Sequence, residues 1–145
     1  MKKLMVMLLV SCVFVISFVS LLVLGFVSRV QAEECSNASL KGAYGLSCEG
    51  TVVGVGPLAV IGVFTADGKG NGSEVETISF NGVITTGATF TVTYVVNADC
   101  TGSFVSTGPD GSVFHNDFVI DDNKKEIRLT PTEPGFVAVC IYRKQ

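Results

Sequence analysis

The chain has 145 residues, with 10 Lys and Arg against 13 Asp and Glu, and a formal net charge of −3. The first 32 residues carry three of the basic residues and none of the acidic ones, which leaves 7 basic against 13 acidic residues, or −6, in residues 33–145. Such an acidic segment argues against nucleic-acid binding, because phosphate recognition needs clustered positive charge. Its length suits one small domain.

The N-terminal segment has the order of a secretory signal peptide. Lys2 and Lys3 precede an apolar stretch from Leu4 to Val27, and a small-residue exit ends at Ala32. This order predicts a signal peptide over residues 1–32, cleavage after Ala32 and a secreted or periplasmic domain over residues 33–145. The length of the apolar stretch leaves a retained anchor as the alternative. No later segment approaches the roughly 20 apolar residues of a spanning helix, so no membrane span is expected after cleavage.

The predicted domain holds four cysteines, Cys35, Cys48, Cys100 and Cys140. An even number in a small exported domain predicts two disulfides with three possible pairings. Zinc is disfavoured because the spacings lack the close pairs of a zinc site. No metal and no cofactor is therefore expected.

Residues 33–145 alternate short Val- and Thr-rich runs with turn signals such as Asn81-Gly82. This pattern is typical of strands joined by tight turns. We predict an all-β domain that forms an antiparallel, up-and-down barrel of about eight strands, with a two-sheet β-sandwich as the alternative. The strands are expected near residues 42–50, 57–66, 72–80, 88–96, 101–107, 113–121, 125–131 and 135–143.

A barrel of this order makes the first and last strands neighbours. Alternation along these strands places Cys48 and Cys140 on inward faces. The barrel therefore favours a Cys48–Cys140 disulfide and leaves Cys35 for Cys100, while the other two pairings stay open.

Two of the predicted strands are apolar on both faces. Ile61 and Val63 oppose the inward face of the second strand, and Val139 and Ile141 oppose that of the last. A strand that is apolar on both faces needs cover on both. This predicts either a subunit interface of a homo-oligomer or cover from the N-terminal segment or a loop.

Six aromatic residues, Tyr142 among them, are expected to face the inside of the barrel, and the other five are the candidate ligand-binding residues. They either line a cavity for a small apolar ligand or fill the barrel, since eight strands enclose barely enough room for one small ligand. These residues are Phe64, Phe90, Tyr94, Phe118 and Phe136.

The sequence shows no catalytic site. His115 is the single histidine, and we expect it to be a solvent-facing strand residue rather than an acid–base partner of Asp117. Glu74 and Glu76 share one face of a predicted strand and are expected to form a solvated edge. The segment that begins at Asp67 imitates a calcium loop but lacks key ligands, so a glycine-rich hairpin is expected.

Three runs carry a resemblance to a family: residues 35–45 (CSNASLKGAYG), 64–71 (FTADGKGN) and 94–102 (YVVNADCTG). They resemble small exported bacterial proteins of mostly unknown function, which are similar to the allene-oxide-cyclase-like, or calycin-like, barrels. The resemblance implies a closed eight-stranded barrel and a contact between Tyr44 and a late Arg143, although strand alternation places those two residues on opposite faces. It implies no cyclase activity, because no catalytic residue of the plant enzymes matches a position here.

Three functions follow from these expectations. The first is a non-enzymatic binder of a small apolar ligand in the barrel mouth. The alternatives are a structural or interaction protein that forms oligomers and, third, an isomerase of the allene-oxide-cyclase type.

Overall fold

A computed structural model describes residues 34–121 and 123–145, so the predicted signal peptide lies outside the described residues. The domain is all-β, as predicted. After a short 3-10 helix at Asn37–Ser39, its strands are β1 (Lys41–Val52), β2 (Gly56–Asp67), β3 (Asn71–Phe80), β4 (Val83–Val96), β5 (Thr101–Thr107), β6 (Val113–Asp121), β7 (Glu126–Pro131) and β8 (Phe136–Lys144).

The eight strands form a closed antiparallel barrel in which each strand pairs with the next along the chain. β1 closes the barrel by pairing with both β2 and β8, so that Cys48 lies between Val60 and Cys140. The predicted up-and-down barrel is confirmed, and the two-sheet sandwich is excluded.

The strand bounds agree with prediction except in β4, which begins at Val83 rather than near residue 88. Asn81 and Gly82 have φ values of 49° and 83°, which suit a two-residue hairpin turn, so pairing resumes at once. Gly87 has a φ of 66° and lies where the register between β3 and β4 shifts. This bulge explains why a segment that contains a glycine still forms strand.

One end of the barrel is solidly packed. The ring of Phe64 lies 5.2 Å from that of Phe104 and 6.0 Å from that of Tyr44, centroid to centroid. The segment before β1 covers this end, where Leu40 is fully buried. The hydroxyl of Tyr94 donates a hydrogen bond of 2.9 Å to the carbonyl oxygen of Leu40 and so ties the segment to the barrel.

Both disulfides are present. Cys48 and Cys140 are direct partners across the β1–β8 pair, and their bond closes the barrel seam. Cys35 is bonded to Cys100 in the turn after β4, which fixes the N-terminal segment over the packed end. These are the pairs that the barrel prediction favoured.

The outer surfaces of β2 and β8 carry apolar side chains that the described residues leave exposed. Ile61 is 65% exposed and Val139 is 59% exposed. The segment before β1 packs on the barrel end instead, where the Asn37 side chain accepts a hydrogen bond from the backbone of Val96. Cover by the described part of the N-terminal segment is therefore excluded. In this part of the chain, no helix has the length and apolar character needed to cross a membrane.

Candidate functional site

The end of the barrel opposite the packed end contains a cavity of about 340 Å³. All eight strands contribute side chains to its wall. Most of its wall is apolar. Six residues supply the larger apolar surfaces: Leu58, Ile78, Phe80, Phe90, Phe114 and Phe136.

Small residues at inward positions make this half of the barrel hollow. Gly50 is paired with Ala138 between β1 and β8, and Glu76 is flanked across the sheet by Gly62 of β2 and Ala88 of β4. A Cβ atom added to Gly62 would lie 2.3 Å from a carbonyl oxygen of β3, so no larger side chain fits without moving the backbone. Because the strands approach so closely here, these positions cannot hold large inward side chains like those of the packed end.

The structure divides the five predicted ligand-binding residues between the two ends of the barrel. Phe90 and Phe136 line the cavity. Phe64, Tyr94 and Phe118 are buried in the packed core and do not line it. All five side chains lie inside the barrel, but only two of them border its hollow part.

Phe114 completes the aromatic wall and was missed in the sequence. Its ring centroid lies 6.2 Å from that of Phe90 and 6.0 Å from that of Phe136, and both pairs meet edge to face. Such pairs add stability beyond the area that they bury. Phe114 lies on the same face of β6 as the inward residues Asn116 and Phe118, and this two-residue spacing is the signal that identifies it.

A carboxyl group lies at the inner end of the cavity. Glu74 is only 2% exposed, and its two oxygens accept hydrogen bonds from the hydroxyls of Tyr142 (2.7 Å) and Ser106 (3.0 Å). Burial raises the pKa of Glu74, while the two hydrogen bonds act in the opposite direction by favouring the ionised form. Both donors are satisfied by this one side chain.

A second carboxyl group, that of Glu76, lines the cavity one step nearer its mouth. Burial, together with the charge of Glu74, raises the pKa of Glu76 to about 8. Among the described residues, no hydrogen bond or ion pair engages its carboxyl oxygens. The prediction of a solvated edge for Glu74 and Glu76 is wrong, because their face of β3 continues into Ile78 and Phe80 and points into the barrel.

Exposed apolar side chains occur in two of the hairpins at the hollow end of the barrel. Val53 and Val55 lie in the turn between β1 and β2, and Val83 and Ile84 lie at the start of β4. Their exposed fractions range from 50% for Val55 to 70% for Val83. An apolar rim is thus present along the part of the mouth formed by these two hairpins.

The other candidate residues lie outside the cavity. His115 is exposed on the outer surface, as expected, and its Nδ1 atom lies 2.8 Å from Oε1 of Glu133 rather than near Asp117. Asp67 accepts hydrogen bonds from the backbone of Lys69 and Asn71 within a tight turn. In the described ranges, no group of three or more His, Cys, Asp or Glu residues is arranged to hold a metal ion.

Together these features define a closed eight-stranded antiparallel barrel with one packed end and one hollow end. Among solved structures, the chain is similar to a de novo designed fluorescence-activating β-barrel, with a TM-score of 0.51 and 11% sequence identity. The match covers 74% of this chain and 94% of the designed one, and it supports the barrel fold. No protein-family model and no curated protein matches the sequence.

The contact implied by the family resemblance does not occur. Tyr44 is fully buried inside the barrel, whereas Arg143 lies on the outer surface and donates a hydrogen bond of 2.9 Å to Glu126. The opposite faces predicted from strand alternation are confirmed.

Proposed function

We propose that this protein is a non-enzymatic binder of a small apolar ligand, which it holds in the hollow end of the barrel. The observation that carries the proposal is an apolar cavity with a polar group deep inside it. Ligand sites typically have volumes of roughly 300–1,000 Å³ and mainly apolar walls with a few placed polar groups. At about 340 Å³, this cavity suits a ligand near the small end of that range.

The lining indicates how the ligand lies. Its apolar body contacts the rings of Phe90, Phe114 and Phe136. Burial of the apolar surfaces of ligand and rings stabilises the complex. Its polar end, if it has one, reaches Glu76, whose carboxyl oxygens have no partner in the described part of the chain. The apolar rim provides the entrance.

The same proposal includes export. Disulfides persist in oxidising compartments, and the two bridges Cys35–Cys100 and Cys48–Cys140 support a secreted or periplasmic location. Residues 1–32 would then act as the leader, with cleavage after Ala32. Processing is tested by the mass of the exported protein, which should equal that of residues 33–145 less the four hydrogens lost in forming two disulfides.

Native mass spectrometry of the protein, exported from its own leader and kept free of reductant, tests ligand binding. We expect a bound small molecule, or uptake of added adamantane derivatives, that is lost on denaturation. Thr85→Trp would fill the cavity mouth and abolish uptake, while Thr93→Trp adds the same bulk on the outer surface and should leave it intact. Absence of any ligand and of any uptake by the wild type would contradict the proposal.

A second candidate is an oligomeric interaction protein, and the exposed apolar surfaces of β2 and β8 favour it. Ile61 and Val139 are more than half exposed although both are apolar. A second copy of the chain would cover them. This role is compatible with ligand binding, since these side chains point away from the cavity.

The isomerase alternative, and with it the relation to the allene-oxide-cyclase-like barrels, stays a prediction. One feature supports it: the pKa of Glu76 is about 8, and a carboxyl group of that kind can transfer protons near neutral pH. Recovery of the bound ligand in chemically unchanged form would contradict it.

A further inference from the structure

We infer that the cavity selects small apolar molecules that carry a cationic group, such as a primary ammonium, and that this group lies against Glu74 and Glu76. The inference rests on the proposed ligand-binding function and specifies the chemical class of the ligand. It is argued from the charges, the room and the hydrogen bonds inside the cavity.

The charge inside the cavity is of one sign. Among the residues that the structure describes, Glu74 and Glu76 are the acidic residues that line it, and no Lys, Arg or His lines it. A buried carboxylate is normally paired with a cation, because an unpaired buried charge is costly. The described part of the fold supplies hydrogen bonds to Glu74 but no positive charge inside the cavity, so a cationic ligand provides the missing partner.

The hydrogen bonds assign different roles to the two carboxyl groups. Glu74 is held by Tyr142 and Ser106, with one donor on each oxygen, which fixes its position and favours its ionised form. Glu76 has no such donor among the described residues and stands nearer the mouth. Glu74 is therefore held in place by the fold, and Glu76 offers oxygens for direct contact with a ligand.

The neighbours of Glu76 leave room for that contact. Gly62 and Ala88 are its partners on the adjacent strands, so neither strand places a bulky side chain beside the carboxyl group. The aromatic wall formed by Phe90, Phe114 and Phe136 also lines the cavity, and it can cover the apolar body of the ligand. The cavity thus combines one anionic end with one apolar wall.

Other ligand classes fit less well. An apolar carboxylate would place a further negative charge beside two acidic groups. A neutral alcohol can donate one hydrogen bond but carries no positive charge. Because a hydrogen bond between oppositely charged groups is stronger than one from a neutral donor, the amine should bind about tenfold more tightly than the matched alcohol.

Proton release gives a second and independent signature. Glu76 lines the cavity together with Glu74 of its own strand and Tyr142 of β8, and within residues 34–121 and 123–145 no basic residue lines it. Because the pKa of Glu76 is about 8, this group is largely protonated at pH 7 when the cavity is empty. A bound cation lowers that pKa, so amine binding should release protons, whereas alcohol binding should not.

The experiment is isothermal titration calorimetry of the exported, oxidised protein at pH 7 with three matched probes. These are 1-adamantylmethylamine, 1-adamantylmethanol and 1-adamantanecarboxylate, each measured in two buffers of different ionisation enthalpy. We expect the amine to bind most tightly and with proton release, and the carboxylate to bind most weakly. In Glu76→Gln, the preference for the amine over the alcohol should fall by about tenfold, whereas exposed Glu49→Gln should keep it.

The outcomes separate the two proposals. Equal or tighter binding of the alcohol or the carboxylate would overturn the cationic inference and leave apolar ligand binding in place. Failure of all three probes to bind the wild type would contradict the proposed function itself. Loss of the amine preference in Glu49→Gln would place the effect on the outer surface and would also overturn the inference.

Discussion

The hydroxyl of Tyr142 donates a 2.7 Å hydrogen bond to Oε1 of Glu74 across the interior of the barrel. The two residues are 68 positions apart in the sequence, on β8 and β3, and both are almost fully buried. The Tyr142 ring also packs 5.8 Å from that of Phe64, centroid to centroid. This pair therefore joins the packed end of the barrel to the anionic end of the cavity.

Removing that hydroxyl should destabilise the protein without changing its fold. Tyr142→Phe keeps the packed ring but leaves one oxygen of a buried carboxyl group without its donor, which costs about 1–3 kcal/mol. The measurement is urea unfolding at pH 7. Tyr44→Phe is the matched control, since the Tyr44 hydroxyl is buried without a hydrogen-bond partner of normal geometry among the described residues. An equal effect of both substitutions would contradict the assigned role of the Tyr142–Glu74 bond.

The stability of the protein should fall as the pH rises from about 4.5 to about 8. The pKa of Glu76 is about 8 in the fold against 4.5 for an unperturbed group, so the folded state binds more protons over this interval. The free energy of unfolding then decreases with pH, by at most about 1.4 kcal/mol per pH unit from this group. The stabilising contribution is complete below about pH 4.5 and is lost as the pH passes the folded pKa.

Chemical denaturation at several pH values tests this dependence. Burial also raises the pKa of Glu74, so that group contributes with the same sign. Glu76→Gln should flatten the profile and raise stability at pH 8, because the neutral amide carries no charge to bury. Glu49→Gln removes a charge from the exposed outer surface and should leave the slope unchanged. A wild-type profile that rises with pH between 5 and 8 would be inconsistent with a half-buried Glu76 whose carboxyl group has no partner among the described residues.

Truncating aromatic residues should have different effects at the two ends of the barrel. Phe90→Ala enlarges the cavity and should weaken binding of 1-adamantylmethanol while the protein stays folded. Tyr94→Ala removes a packed ring and the hydrogen bond to Leu40, which should cost about 3–5 kcal/mol. Thermal unfolding and calorimetry on the same samples distinguish these effects. Unfolding by Phe90→Ala, with Tyr94→Ala tolerated, would reverse the assignment of hollow and packed ends.

The outer surfaces of β2 and β8 should govern self-association. Val139→Lys places a charge among exposed apolar side chains and should convert an oligomer into a soluble monomer. Sedimentation velocity of the exported protein measures this change. Thr93→Lys adds the same charge on β4, away from that surface, and should leave the oligomer intact. A monomeric wild type would rule out the oligomer.

The sequence was sufficient to predict the barrel because its signals are local. Turn pairs such as Asn81-Gly82 mark the hairpins, and alternation marks the inward faces. The pairing of Cys48 with Cys140 follows once the first and last strands are neighbours. The early start of β4 was not predicted, because it depends on a bulge at Gly87 that shifts the register within a continuous strand.

The acidic pair was misjudged although its signal is local too. Glu74 and Glu76 alternate in phase with Ile78 and Phe80, and extending that alternation along β3 places all four inside. A general expectation that carboxyl groups face water outweighed the pattern. The cavity could not be predicted in this way, since it depends on the strand register that places Gly62 and Ala88 on either side of Glu76.

Nuclear magnetic resonance on the exported protein, titrated with 1-adamantylmethylamine, tests the central claim most directly, because it locates the ligand. Intermolecular Overhauser contacts should connect the adamantyl protons with the Ile78 methyl groups and the rings of Phe90 and Phe136. The Glu76 carboxyl resonance should shift in the same titration. Contacts only to Ile61 and Val139 on the outer surface, or no contacts at all, would contradict a ligand site inside the barrel.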